Sequence, residues 1–463
     1  MAGAQRHGLV WYLIAAAILL EVAGVVAGRM GSDHTMLASL LICVATMALL
    51  AARLIPEYLT ALLFFVACAL GAFAPATVFL AGFASSAVWL VVSGAIIGAA
   101  LRHTGLADRL GAMLAPSGEM AFTRFLWRVM LFGAFLMFFM PSSMGRILLM
   151  IPLLQATVKQ IGLEPAGRRA SAVMLAGIFG TFIPATSILP ASVPNNVLAG
   201  LMDSTGIGAP SFSEYMLLHF PVLGMVSLAL IACLLAFLYR GEATVSIAGD
   251  VEARAPMSPA EKRLAFVLFM TILLWATDAI HGLPTAWVGM LAAVTCLWPG
   301  NGLMPQQALR AVGLEPVFYV AGVVGVGTLI QYSGLGSELA GIMSGVAGFA
   351  MGSPWESVLL LSGAAALLAL LVTVVAVPAV LTPIAENLSQ STGLTVEAVA
   401  MSQVMGFSTV FFPYQAPPFA VAIQSGAVSP RDMTKFCFLL ACAMVVVVWP
   451  LNLVWWGVLG WFG

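Results

Sequence analysis

Apolar residues in this chain run in long blocks rather than at amphipathic spacing, and the blocks have the roughly 17–25 residue length of a bilayer-spanning α-helix. In the first half they cover about 8–28, 35–52, 58–74, 79–101, 121–157, 170–200 and 215–239. In the second they cover about 264–281, 284–300, 315–332, 355–388, 397–425 and 436–460. The first block has no counterpart. It is long and carries Glu21, which predicts a retained extra helix within residues 1–34 rather than a cleaved signal segment. The remaining blocks pair, so residues 35–239 form one unit and 264–463 a second, joined by 240–263.

Landmark residues support the pairing. The stretch GFASSAVWLVVSGAIIGAALRHTGLADRL (82–110) returns as GLEPVFYVAGVVGVGTLIQYSGLGSELA (313–340), with Leu106 and Leu335 set 229 residues apart. Pro152, which closes MPSSMGRILLMIP, finds its mate in Pro383 of TVVAVPAVLTP, 231 residues on. Duplication of this kind marks many secondary transporters, whose substrate site lies near the bilayer midplane where the repeats meet.

Two blocks per half are interrupted by polar residues and proline. The block at 121–157 is too long for one span and breaks at Pro141, Ser142, Ser143, Met144 and Gly145, which predicts a re-entrant hairpin with its tip there. Its mate at 355–388 breaks around Thr373 to Pro378. The next block carries PATSILPASVPNN (184–196), and its mate STVFFPYQAPPF (408–419). Both predict helices unwound where they line a cavity. Each repeat then makes five crossings, and an odd number inverts the second copy.

Basic residues test that topology. With the N-terminus in the cytoplasm, 16 of the 17 lysines and arginines other than Arg146 fall inside and only Arg29 outside, in the sense of the positive-inside rule. The expectation is an all-α polytopic membrane protein of about eleven transmembrane helices plus two re-entrant hairpins in two inverted repeats. It would sit in the plasma (inner) membrane, with the N-terminus cytoplasmic and the C-terminus external.

Composition removes other classes. At 62% hydrophobic and 8% charged residues the chain is a membrane protein. A net charge of −1 offers nothing to nucleic acid, and no GxxxxGK loop is present for a nucleotide. The six cysteines and 25 methionines lie in apolar runs without disulfide or metal spacing and read as packing. No catalytic motif of a metalloprotease or a serine hydrolase is found, so an enzyme is not expected. The polar stretch 240–263 reads as a cytoplasmic linker, and Ser258, Pro259 and Glu261 have the spacing of a helix cap, first-turn proline and capping box.

The breaks carry the chemistry. A helix beginning at a hairpin tip presents unpaired N–H groups and the positive end of its dipole, a ready anion site, to which Ser142 and Ser143 add hydroxyls. Unwound carbonyls near Thr186 to Pro190 and Ser408 to Pro413 offer ligands to a cation, with Ser187, Ser192, Asn195, Asn196, Thr409 and Gln415 nearby. The competing reading is that such hydroxyls bond back to their own helices. Arg146 is a charge deep in an apolar block, which usually marks a pathway or a pair. It reads either as a cation that takes over part of a sodium ion's task and forks onto a dianion, or as a structural ion pair with Glu21 or Glu386. Glu386, after the second tip, is a candidate proton carrier if buried. Asp278 and His281 read as an interfacial pair.

The GF…VWL…TGLADRL segment, the hairpin ending in LMIP, AGIFGTFIPATSILPASVPNN, ATDAIHGLP (276–284) and FPYQAPP (412–418) together resemble the divalent anion:sodium symporter family of the ion transporter superfamily. The resemblance implies a scaffold domain holding a mobile transport domain, a homodimer, and a small anionic substrate. It further implies tips of Ser-Asn-Thr type that bind a carboxylate and help hold sodium, followed by Gly-Thr-Pro-Pro-Asn-like turns. Here the tips align as Ser142, Ser143, Met144 and as Thr373, Val374, Val375; the turns align as Ala191 to Asn195 and as Gln415 to Phe419, which includes Pro418. Taken with the residue chemistry above, the expected substrate-binding set is Ser142, Ser143, Arg146, Asn195, Asn196, Thr373, Gln415 and Pro418, and the expected sodium set is Ser142, Ser143, Ser187, Ser192 and Thr409. The expected function is secondary transport of di- or tricarboxylates, with sulfate as an alternative, by sodium symport. Proton coupling, exchange, or a channel or sensor on the same scaffold are the competing readings. No cofactor beyond Na+ is expected.

Overall fold

The computed structural model describes the chain except residues 1, 112–113, 115–117, 141, 165–166, 240–243, 246–255, 306, 308–309, 311, 348–352 and 463. Most of the 240–263 linker and Pro141 of the first tip therefore lie outside the described residues. The described part is helical almost throughout. Its departure from an all-α chain is a two-residue antiparallel pairing of Met120–Ala121 with Thr244–Val245.

The apolar blocks become helices with close to the expected bounds, as in Thr35–Ala52 and Glu315–Tyr332. Among the described residues eight helices are long and apolar enough to cross a membrane alone, or nine if Glu315–Tyr332 and Leu335–Gly345, bent by 83°, form one span. Two of the eight, Phe122–Phe139 and Pro354–Leu371, are ascending arms of the predicted hairpins. Other expected crossings are assembled from shorter pieces such as Glu57–Gly71 and Thr285–Leu297, or from helices interrupted by proline. The block expected at 79–101 starts its long helix only at Ser86, after two four-residue helices.

The linker end is built as its sequence spells. Ser258 caps helix Pro259–Ala276 by accepting from Glu261 N, and Glu261 Oε2 accepts from Ser258 N at 2.6 Å. Glu261 also receives the Arg109 guanidinium at 2.7 Å, which fastens the end of the first half's Leu106–Gly111 helix to the start of the second half. These hydrogen bonds from Arg109 and Ser258 hold the Glu261 carboxyl below its ordinary value.

Packing is matched between the halves. Helix Glu57–Gly71 lies on Glu315–Tyr332, and the counterparts Thr285–Leu297 and Ser86–Thr104 lie on each other. Likewise each ascending hairpin arm packs on the first part of the broken helix behind it: Phe122–Phe139 on Arg168–Phe182, and Pro354–Leu371 on Val396–Ser408. Glycine lets both of these pairs close. A Cβ on Gly180 would stand 2.8 Å from Met130 Cα, and one on Gly406 2.6 Å from Ser362 O. Small residues at such crossings are how helices approach in lipid, where apolar burial gives no advantage over contact with acyl chains.

Candidate functional site

The first hairpin turns between Phe139 and Ser143, and its returning arm runs Ser143–Gln160. Ser142 starts that arm: it is extended (φ −146°, ψ 107°) and its hydroxyl accepts from Gly145 N at 3.1 Å. The hydroxyl proton is thereby left to point elsewhere. The second hairpin leaves its ascending arm at Val372, turns through Val374 to Ala376, and returns as Val377–Leu381 and Ala385–Thr392.

Proline opens both broken helices. Arg168–Phe182 gives way to two short 3-10 turns containing Pro184 and Pro190 before Val193–Ser204 resumes, and Val396–Ser408 gives way to a loop with Pro413 before Pro417–Gln424. One amide side chain braces each break. Asn195 Nδ2 donates to Ala185 O at 3.2 Å and Ile188 O at 2.8 Å, whereas Gln415 Oε1 accepts from Phe411 N and Phe412 N, both at 2.8 Å. Each tip is tied to its break. Ser143 Oγ donates to Ala191 O at 3.3 Å, and Val374 N donates to Gln415 O at 3.1 Å. Ser143 and Val374 are aligned positions of the two expected repeats, as are Ala191 and Gln415 in the alignment of the turns.

A cavity of about 230 Å³ forms where these four elements meet. Ser142, Ser143 and Met144 of the first tip and Ser192 to Pro194 of the first break line one side; Val374, Val375, Pro417 and Pro418 line the other. The two sides differ in chemistry. The first repeat brings hydroxyls and helix starts at Ser143 and Val193, while the second brings valines and a helix whose first two residues are prolines and offer no N–H. Phe182, Tyr319, Glu57 and Glu315 also line it, and Glu57 is 4.0 Å from Arg53.

Arg146 does not line this cavity. It is fully buried behind the first tip, and its guanidinium is taken up by protein oxygens. Nε donates to Thr181 Oγ1 at 3.0 Å, Nη2 to Ser143 Oγ at 3.1 Å and Thr181 O at 3.2 Å, and Nη1 to Met140 O. Four of its five N–H donors are used, so the fork is not presented to a dianion. The expected counter-charges are not there either. Glu386 is exposed, Glu21 is buried with Oε1 unpartnered, and among the described residues no carboxylate lies within ion-pair distance of Arg146.

The remaining candidates divide. Ser192 Oγ, at the cavity wall, and both amide atoms of the fully buried Asn196 have no hydrogen-bond partner among the described residues. Thr373 is buried facing the Tyr319 phenol and makes no hydrogen bond of ordinary geometry. Ser187 and Thr409 instead bond to carbonyls of their own segments, Pro184 O at 2.5 Å and Met405 O at 2.8 Å, and Thr409 also accepts from Trp449 Nε1. Those two hydroxyls are spoken for. The exposure of Glu386 removes the burial that a proton carrier there would need. Asp278 turns to Ser213 and His281 to Leu274 O, so they are partners of other residues rather than a pair. Glu57, Glu315 and Tyr319 were not among the residues expected at the site. Each sits at or near the end of an apolar run, where a polar side chain reads as interfacial.

In comparisons with known proteins, the citrate transporter family (CitMHS) matches residues 41–410. The chain is similar to a membrane protein of Cupriavidus necator, 23% identical over 395 residues that cover 82% of this chain and 77% of that protein. Among solved structures it resembles the YdaH transporter of Alcanivorax borkumensis at a TM-score of 0.56, with 16% identity, over 83% of this chain and 88% of that one. The last likeness concerns the fold. With a match spanning most of its length and a fold of transporter type, the chain belongs to the citrate transporter family.

Proposed function

We propose that this protein is a secondary transporter that carries a small di- or tricarboxylate across the plasma membrane by alternating access, coupled to sodium. The observation that carries the reading is the cavity lined by both hairpin tips and both helix breaks, with the orphaned Ser192 hydroxyl on its wall. Buried polar atoms without partners are costly in a membrane interior and are expected where a solute completes them. The family description, citrate transport, gives the substrate class its direction.

The anion's head is held by the first repeat. Helix starts at Ser143 and Val193 and the Ser142 and Ser192 hydroxyls donate to one carboxylate, and the body of the substrate rests on Val374, Val375 and Pro418. The two repeats are read as inverted copies, with the N-terminus cytoplasmic and two protomers to a dimer.

Equilibrium binding of labelled citrate and succinate to the purified protein tests the site. Val375→Trp, which fills a 230 Å³ cavity, is expected to abolish binding, and Ser142→Ala to weaken it about tenfold, the order of one charge-assisted hydrogen bond. Unchanged binding in Val375→Trp would place the substrate elsewhere.

A further inference from the structure

The oxygens gathered on Arg146 are those a bare cation would seek. Met140 O is the carbonyl just past the end of the ascending arm, and Thr181 O lies in the last turn of Arg168–Phe182, just before the chain unwinds. Carbonyls at such helix ends have lost their intrahelical partners and carry the negative end of the dipole; Met140 O accepts from Ser142 N at 2.8 Å and still receives Arg146. Two hydroxyls, Ser143 Oγ and Thr181 Oγ1, complete the set. Uncharged oxygens converging from a hairpin tip and an unwound helix are a donor set for a hard monovalent ion, and a guanidinium satisfies them equally well. The repeat shows that this is particular to one half. Val377, 231 residues on from Arg146, is buried and apolar, so the aligned position of the second half carries no charge.

We infer that the Arg146 guanidinium is the resident cation of the first repeat: it fills the oxygen cage between tip and break, so that this repeat takes no sodium ion from solution. Arg146 is thus a positioning residue. Through Ser143 Oγ, which it donates to and which in turn donates to Ala191 O, it locks the tip against the break, and its charge lies beneath the part of the cavity assigned to the anionic head. Sodium does not fit the first repeat while Arg146 is there. The substrate's part in this rests on the transporter reading above; the cage itself does not.

The test uses the purified full-length protein in sodium, guanidinium and choline chloride at equal ionic strength, with two readouts. In thermal unfolding without substrate, Arg146→Ala is expected to be stabilised by millimolar sodium or guanidinium relative to choline, by several degrees more than wild type. In citrate binding, Arg146→Ala is expected to lose at least tenfold in affinity in choline and to recover most of it with either cation, its sodium dependence being steeper than wild type by one ion. Arg146→Lys, which keeps the charge, is expected to keep the wild-type sodium slope. A folded Arg146→Ala that no cation stabilises or restores would overturn the inference, as would a wild-type protein that binds two sodium ions. Should Arg146→Ala not fold, the wild-type slope and Arg146→Lys decide in the same way. Cation-dependent stabilisation of Arg146→Ala with no citrate binding by any form would leave the cage standing and refute the carboxylate reading instead.

Discussion

An unwound helix inside a bilayer exposes carbonyl and N–H groups that water does not reach, and two amide side chains take them up here from opposite sides of the hydrogen bond. Asn195 donates to two freed carbonyls and Gln415 accepts from two freed N–H groups. Asn195→Ala is therefore expected to cost about 1–3 kcal/mol, the penalty for leaving buried acceptors unpaired, and to lower the unfolding temperature even without substrate. An unchanged unfolding temperature would show that the break does not depend on that brace. The sequence makes these residues visible as polar positions in apolar runs, but not which way they face. Ser142 and Ser143 are legible at the tip because a cap and a turn are local. The role of Arg146 is not, because its partner Thr181 comes from a separate helix 35 residues away.

At the scale of elements, the blocks of apolar residues translate into helices because length alone decides who can span a bilayer. What the blocks do not reveal is how a block divides. The run at 170–200 becomes two helices and two 3-10 turns, and the run at 79–101 begins with two isolated turns, since prolines and short polar insertions set those ends. The Ser258 cap is fully legible, being a three-residue spacing, while its third member's second partner, Arg109, is not. That latch predicts a pH effect. Because the Glu261 carboxyl is held below its ordinary 4.5 in the folded protein, its contribution to stability is fully present above about pH 4.5 and is lost as pH falls through the lowered folded value. Between pH 5 and 3 the wild type should lose more stability than Glu261→Gln. Parallel pH profiles for the two proteins would contradict the latch.

For the whole molecule, the segments aligned through Leu106/Leu335 and Pro152/Pro383 pack in corresponding ways: helix Glu57–Gly71 on Glu315–Tyr332 and its counterpart pair, with tip joined to break by the Ser143 hydroxyl in one half and the Val374 N–H in the other. The chemistry is not duplicated. One half carries hydroxyls backed by the buried Arg146, the other valines and prolines, which fits the proposed carrier that grips an anion with one half and follows its shape with the other. Glu57 and Glu315 join the wall from the starts of two helices far apart in sequence, a convergence that only the packed molecule shows. The most direct test is accumulation of labelled citrate and succinate in proteoliposomes under an imposed inward sodium gradient, with a proton gradient alone as comparison. The account predicts accumulation above equilibrium driven by sodium and abolished by Val375→Trp; accumulation that Val375→Trp leaves intact, or none under either gradient, would contradict it.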